Sequence, residues 1–321
     1  MAETHIEWAT HAENYQAGCT KKSPACRGCY AIPMSIRIAN MGGPGRYDGV
    51  TNGDLKNPQW TGKVVADLDA LRRIFQGLRS ARKPRRVFLN SMTDTFHEDA
   101  PEEALDLLAA ELRTVPDKHV VMLLTKRPER MAAWALRHFP DGLPNTVWCG
   151  TTLEDQRRAD ERIPHLLQVP VRVRFLSMEP LLGPVDLRHW IQPYTYCGNC
   201  GEYEKGDHYE GTCKGCGTAF FDFGSTVYGY DQLEQRREGR EEYDDRQPLN
   251  WVIVGGESGA GARPMETVWA HQIIHQCRKA CVPVFVKQMG TVWAKEHGCK
   301  DKKGGNISEW PGSLRVREMP S

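Results

Sequence analysis

Three cysteines fall within one short segment, Cys19, Cys26 and Cys29, with the spacing C-x6-C-x2-C. Three thiolates are one fewer than the four that close a tetrahedral zinc site, and on a four-iron cluster they leave one iron open to a ligand that reacts. A second set is complete: Cys197 and Cys200, then twelve residues, then Cys213 and Cys216, with Gly201 and Gly217 directly after each pair. Paired knuckles of this kind deliver four sulfurs to one zinc and leave no position for substrate, so a structural zinc is expected there. For the trio, spacing alone admits either a cluster with an open iron or a zinc completed by His5 or His11 that staples the N-terminal segment.

Chemistry at the trio needs elements that bring other groups to it. Short, nearly continuous apolar runs recur at Val87-Phe88-Leu89, Val120 to Leu124, Val147-Trp148-Cys149, Val171 to Leu176, Trp251 to Val254 and Val284-Phe285-Val286. Such runs suit strands buried on both faces. Between Pro101 and Arg113, Leu105, Leu108, Ala109 and Leu112 share one helical face, and a helix over Ile32 to Met41 follows the trio. Alternating strands and helices give a parallel sheet, doubly wound or closed as a full or partial (β/α) barrel, with chemistry at the C-terminal strand ends. Those ends are polar here: Asn90-Ser91, Thr125-Lys126-Arg127, Thr151-Thr152-Leu153-Glu154, Ser177-Met178-Glu179 and Gly255-Gly256-Glu257. The trio precedes the first helix and is expected at the same rim, which favours the cluster over a closed zinc.

The pattern breaks between about Ile191 and Pro248 and resumes at Trp251. The expected organisation is therefore a barrel in two parts, residues 1–190 and 250–321, around an inserted zinc ribbon and charged linker at 191–249. Net charge is +1 over 321 residues, so no global field draws the chain to nucleic acid, and contact with it must be local. The basic run Arg72, Arg73, Arg79, Arg82, Lys83, Arg85 and Arg86 is first a solvated face and second a phosphate-binding patch. No basic stretch followed by an apolar one opens the chain, and no segment approaches the roughly 20 apolar residues of a membrane span. A cytoplasmic protein without membrane contact is expected. Eleven cysteines then read as ligands and buried thiols rather than disulfides.

Several blocks in fixed order carry a resemblance. The trio followed by Tyr30, Phe88 to Asp94, Leu124 to Met131, Ser177 to Gly183 and Val254 to Gly259 together resemble a phage-borne radical S-adenosylmethionine family, distantly similar to spore photoproduct lyases. The spacing departs from that superfamily's usual C-x3-C-x2-C, with Gly28 where an aromatic is usual and Tyr30 after the last cysteine.

The resemblance implies a partial or full barrel of the radical S-adenosylmethionine type. It implies Cys19, Cys26 and Cys29 as ligands of a [4Fe–4S] cluster whose open iron takes S-adenosylmethionine, and a 5′-deoxyadenosyl radical as the product of its cleavage. Asn90 and Ser91 would meet the cofactor's amino group, Lys126 and Arg127 its carboxylate, and Thr151, Thr152 or Glu154 its ribose, with Tyr30 near the adenine. Glu179 would be a site acid, and Gly255, Gly256 and Glu257 would bring backbone close to adenosine or substrate. Lys287 and Arg263 are ambiguous between site and salt bridge. The implied reaction is isomerisation or modification of a nucleobase substituent, with hypermodified thymidine in phage DNA as substrate. A flavodoxin or ferredoxin would be the electron donor and the host cytoplasm the location. The alternatives are radical repair of a pyrimidine lesion and a zinc-only nucleic-acid-binding protein.

Overall fold

The computed structural model describes residues 3–191, 194–196, 203–205, 226–228 and 249–320. Cys197, Cys200, Cys213 and Cys216, and with them the expected zinc ribbon, lie outside the described residues.

Seven strands form one parallel sheet: β1 (His11–Glu13), β4 (Arg86–Leu89), β5 (Val120–Thr125), β6 (Val147–Thr152), β7 (Val173–Met178), β11 (Trp251–Gly255) and β12 (Val284–Gln288). They neighbour one another in chain order, with no reversal. A doubly wound sheet reverses at a switch point, whereas same-direction right-handed crossovers place every connecting helix on one face. The sheet is accordingly a curled half-barrel, flanked by α2 (Leu68–Ser80), α3 (Glu102–Leu112), α4 (Pro128–His138), α5 (Gln156–Leu167) and α7 (Thr267–Lys279). Shorter elements are β2 (Gln16–Ala17) paired with β3 (Val65–Ala66), α1 (Ala31–Asn40), α6 (Arg188–Ile191), α8 (Thr291–Glu296), and the antiparallel β8 (Tyr194–Tyr196), β9 (Tyr203–Lys205) and β10 (Thr226–Tyr228).

The six apolar runs all became strands, because each can be covered on both faces. Val121, Leu123, Leu176, Met178, Val252, Val254, Val284 and Val286 meet the helices. Their alternates Met122, Phe175, Trp251, Ile253 and Phe285 join Trp8, Phe88 and Trp148 on the concave face. Trp251 touches Trp8, Trp148, Phe175 and Phe285 at ring-centroid distances of 5.8–6.3 Å. Each buried ring of this size contributes roughly 4–6 kcal/mol by area before the entropy of ordering it. This aromatic floor fills the lower half of the concave face.

Strand alternation, with period two, continues to the C-terminal ends. It turns Lys126, Thr152, Glu179, Gly255 and Lys287 toward the concave side above the floor, and Thr125 and Thr151 away from it. The sheet does not close, and its edges are covered. Glu3 bridges His11 beside β1, while Arg317 bridges Phe285 beside β12 and Trp251 Nε1 donates to Glu318 O at 2.9 Å. No helix among the described residues is long and apolar enough to cross a membrane.

Candidate active site

The segment from Gly18 to Tyr30 lies across the C-terminal ends of the strands and is held from four of them. Gly18 starts it at φ +88°, where a Cβ would collide with Lys63 O, so only glycine fits. Thr93, after β4, donates through its hydroxyl to Gly18 O. Arg127, after β5, donates from Nη2 to Thr20 Oγ1 at 2.8 Å. Glu154, after β6, accepts from Ala25 N at 3.1 Å, inside the 3-10 turn Pro24–Gly28 that carries Cys26. Glu257, after β11, lies against Gly28, where a Cβ would meet Oε1 at 2.7 Å. Tyr30 closes the segment by donating to Ser91 O at 2.5 Å.

The three charged clamps, Arg127, Glu154 and Glu257, are each held by an opposite charge. Arg127, 1% exposed, also donates from Nε to Glu98 at 2.6 Å and from Nη1 to Asp94 at 3.0 Å. Burial pushes its guanidinium pKa down, but Asp94, Cys19 and Glu98 together raise it above the ordinary value. Glu154 is wholly buried, with Arg162 Nη1 3.4 Å from its other oxygen. Glu257 receives Arg263 on both oxygens, at 2.8 and 2.7 Å. His97 Nε2 is 2.8 Å from Thr20 Oγ1, and Nδ1 accepts from Asp99 N at 3.1 Å. That acceptance places the ring proton on Nε2, so Thr20 Oγ1 receives two hydrogen bonds. Burial, then Arg127, holds the His97 pKa below its usual value, consistent with a neutral ring.

The three thiols are free and half-buried. Burial, then Asp94, pushes Cys19 up to about 12, and burial also raises Cys29. Without metal both are protonated, and a metal centre would displace those protons on binding. Lys126 is half-buried beside Cys29, lowers that thiol's pKa, and makes no ion pair with a described residue. Among the described residues no three His, Cys, Asp or Glu side chains converge as ligands of a single ion. The segment offers three thiols outside any disulfide on a fixed loop, with the Lys126 ammonium alongside, and thiolates of this kind suit zinc or an iron–sulfur cluster.

A family model described as "Protein of unknown function (DUF5131)" matches residues 3–320. The chain belongs to this family. No protein of curated function matches it. Among solved structures, it is similar to a putative fructose-1,6-biphosphate aldolase from Coccidioides immitis, at 12% identity and a TM-score of 0.29. That match covers 66% of this chain and 62% of the other, so the chain spans less than two thirds of that protein's length.

The structure separates the family member's rim residues into those that hold the loop and those that face the concave side. Asn90, at φ 60°, uses its side chain on Tyr15 N, Gln16 N and Thr95 Oγ1 and is 2% exposed. It fixes the β1–β2 turn rather than presenting a free group. Arg127, Glu154 and Glu257 are turned to the loop, and Thr151 Oγ1 donates to Thr125 O. Ser91 reaches Asn14 and, through its carbonyl, Tyr30. Gly256 packs so closely on Met289 that a Cβ would lie 2.2 Å from its carbonyl oxygen. Lys126 and Glu179 remain on the concave side, joined by Lys287, whose Nζ is 3.1 Å from Glu179 Oε1.

In the basic run, Arg72, Arg73 and Arg79 pair with Asp69, Asp67 and Glu111 on the helical side. Asp94 belongs to the polar end that follows β4, whereas Glu98, Thr20 and Arg162 are site-forming residues that strand-end position does not mark. Arg162 carried a signal: it shares a helix face with Ala159, Ile163 and Leu166, and arginine on an apolar face demands a buried partner.

Proposed function

We propose that this protein is a radical S-adenosylmethionine enzyme that modifies or isomerises a nucleobase substituent, with hypermodified thymidine in phage DNA as the substrate the sequence resemblance suggests. The observation that supports it best is the trio itself: three free thiols on a segment clamped from β4, β5, β6 and β11 over the open end of a parallel half-barrel. Cys19, Cys26 and Cys29 would hold a [4Fe–4S] cluster, with S-adenosylmethionine beside it. Bound there, these groups supply one-electron cleavage of a sulfonium S–C bond and, from it, abstraction of an unactivated hydrogen atom.

The chain's own contribution is position and charge. The Arg127 and Glu154 clamps hold two of the thiol-bearing turns in register with the strand ends. Lys126 offers an ammonium to the carboxylate of the cofactor. The aromatic floor closes the concave face from below and excludes water from that side. A flavodoxin or ferredoxin would supply the electron, and a zinc on the four cysteines of the insert would be structural.

Anaerobic reconstitution with iron and sulfide tests the reading. The expected result is about four irons on the trio, broad visible absorption, and release of 5′-deoxyadenosine on reduction with S-adenosylmethionine. Zinc at both cysteine sets, with no iron uptake, would replace it with a zinc-only nucleic-acid-binding protein. Product analysis on ultraviolet-treated against hypermodified DNA separates lesion repair from base modification.

A further inference from the structure

Glu179 and Lys287 stand on the concave side on either side of β11, which presents Gly255 between them. Gly255 has no side chain to separate them: a Cβ there would lie 2.7 Å from Glu179 Oε1 and 3.2 Å from its Cγ. The pair is only partly exposed, 15% for Glu179 and 22% for Lys287. Glu179 Oε1 is buried and accepts no hydrogen bond, although Lys287 Nζ lies 3.1 Å away. An ammonium has three donors and a carboxylate about four acceptor positions, so each partner retains capacity for a ligand.

The charges restrict that ligand. A phosphate or carboxylate would meet Glu179, and a cation would meet Lys287. A neutral group with an N–H beside a C=O suits both, the carboxylate accepting and the ammonium donating. Aromatic and aliphatic side chains, Phe175, Ile253 and Phe285, lie below on the same face. We propose that Glu179 and Lys287 form a recognition edge for a nucleobase bearing a ring N–H next to a carbonyl, the imide of thymine or the lactam of a 6-oxopurine. The inference rests on the nucleobase reading for its substrate class, and it adds the edge that is read. Bases extruded from a helix are commonly read by hydrogen bonds along this edge. Cytosine and adenine lack the ring N–H there.

The test is equilibrium binding of short single strands to the full chain as purified. The probes are oligothymidylate, its N3-methyl analogue, oligodeoxycytidylate and oligodeoxyinosinate. N3-methylation and the change to cytosine are each expected to weaken binding at least tenfold. Tight oligodeoxyinosinate binding would extend recognition to the lactam, and weak binding would confine it to the imide. In Glu179→Ala the N3-methyl penalty should vanish, while Lys287→Met should weaken both thymidine probes and leave a penalty between them. Equal affinity of the native chain for thymidine and N3-methylthymidine strands overturns the proposal without relying on any variant's folding. A penalty that persists in Glu179→Ala does the same. Loss of discrimination with S-adenosylmethionine cleavage intact removes this inference alone; discrimination in a chain that takes up no iron removes the radical reading alone.

Discussion

Glu154, at the end of β6, accepts a hydrogen bond from the backbone N–H of Ala25, 129 positions earlier in the chain. A fully buried carboxylate thus binds the turn carrying Cys26 to the middle of the sheet, with Arg162 balancing its charge. Burial lowers the Arg162 pKa and Glu154 offsets part of that effect, so the guanidinium depends on the carboxylate beside it. Glu154→Ala should therefore cost about 3–5 kcal/mol, the usual result of leaving one member of a buried pair alone. Urea unfolding of the metal-free chain measures this, and a loss below about 1 kcal/mol would show the pair to be dispensable.

Arg127→Lys should free the start of the cysteine segment. One ammonium cannot reproduce three directed contacts to Thr20, Asp94 and Glu98, so the loss should be about 1–3 kcal/mol. Faster hydrogen exchange at the amides from Thr20 to Cys26, with the strand amides unchanged, is the expected observation.

Glu98 predicts a pH dependence. Burial pushes its carboxyl up, but hydrogen bonds from its own backbone N–H, Arg127 and Lys22 outweigh this and bring the pKa to about 2. The folded value lies below the ordinary 4.5, so the contribution is complete above pH 4.5 and is lost as pH falls toward 2. The stability gap between the native chain and Glu98→Gln should close across that window. Because half of Glu98 faces water, the gap should be about 1 kcal/mol or less.

Single Cys→Ser changes at positions 19, 26 and 29 should each lower iron uptake from about four per chain while leaving the metal-free fold intact. The thiols are half-buried and hold little of the core. Iron analysis and the thermal midpoint, within a few degrees of the native chain, check both halves; a collapsed fold would mark the trio as a structural staple.

Gly255→Ala should displace Glu179 from Lys287 by crowding the carboxylate and its Cγ. The carboxylate end can swing aside, so unfolding free energy should change by about 1 kcal/mol or less, while selectivity for the ring N–H falls. A crystal structure of the variant with the 3.1 Å pairing preserved would refute the crowding.

The strands were legible because burial on both faces leaves an apolar run that needs no partner to be recognised. Val120 to Leu124 and Trp251 to Val254 are such runs, and both lie in the sheet. β1, with His11-Ala12-Glu13, carries no such pattern; it is a strand because β4 offers it an edge. The trio and its rim location were also legible, from spacing and chain order. Which rim residues face the concave side was not. Lys126 and Arg127 are adjacent and similarly charged, yet only the Arg127 side chain binds Asp94, Glu98 and Thr20, while Lys126 reaches Asp94 through its backbone N–H alone.

The sequence by itself determined the alternation that builds a parallel sheet, the polar strand ends, and three thiols placed to reach them. Tertiary structure decided how those polar groups divide. Strand parity and the open end of the half-barrel sent Arg127, Glu154 and Glu257 into buried contacts with the cysteine segment, and left Lys126, Glu179 and Lys287 facing the concave side. The physical reason is that a buried polar group must find its partners in space: Arg127 meets Asp94 about thirty positions away and Thr20 more than a hundred away, and Glu154 meets Ala25 129 positions away.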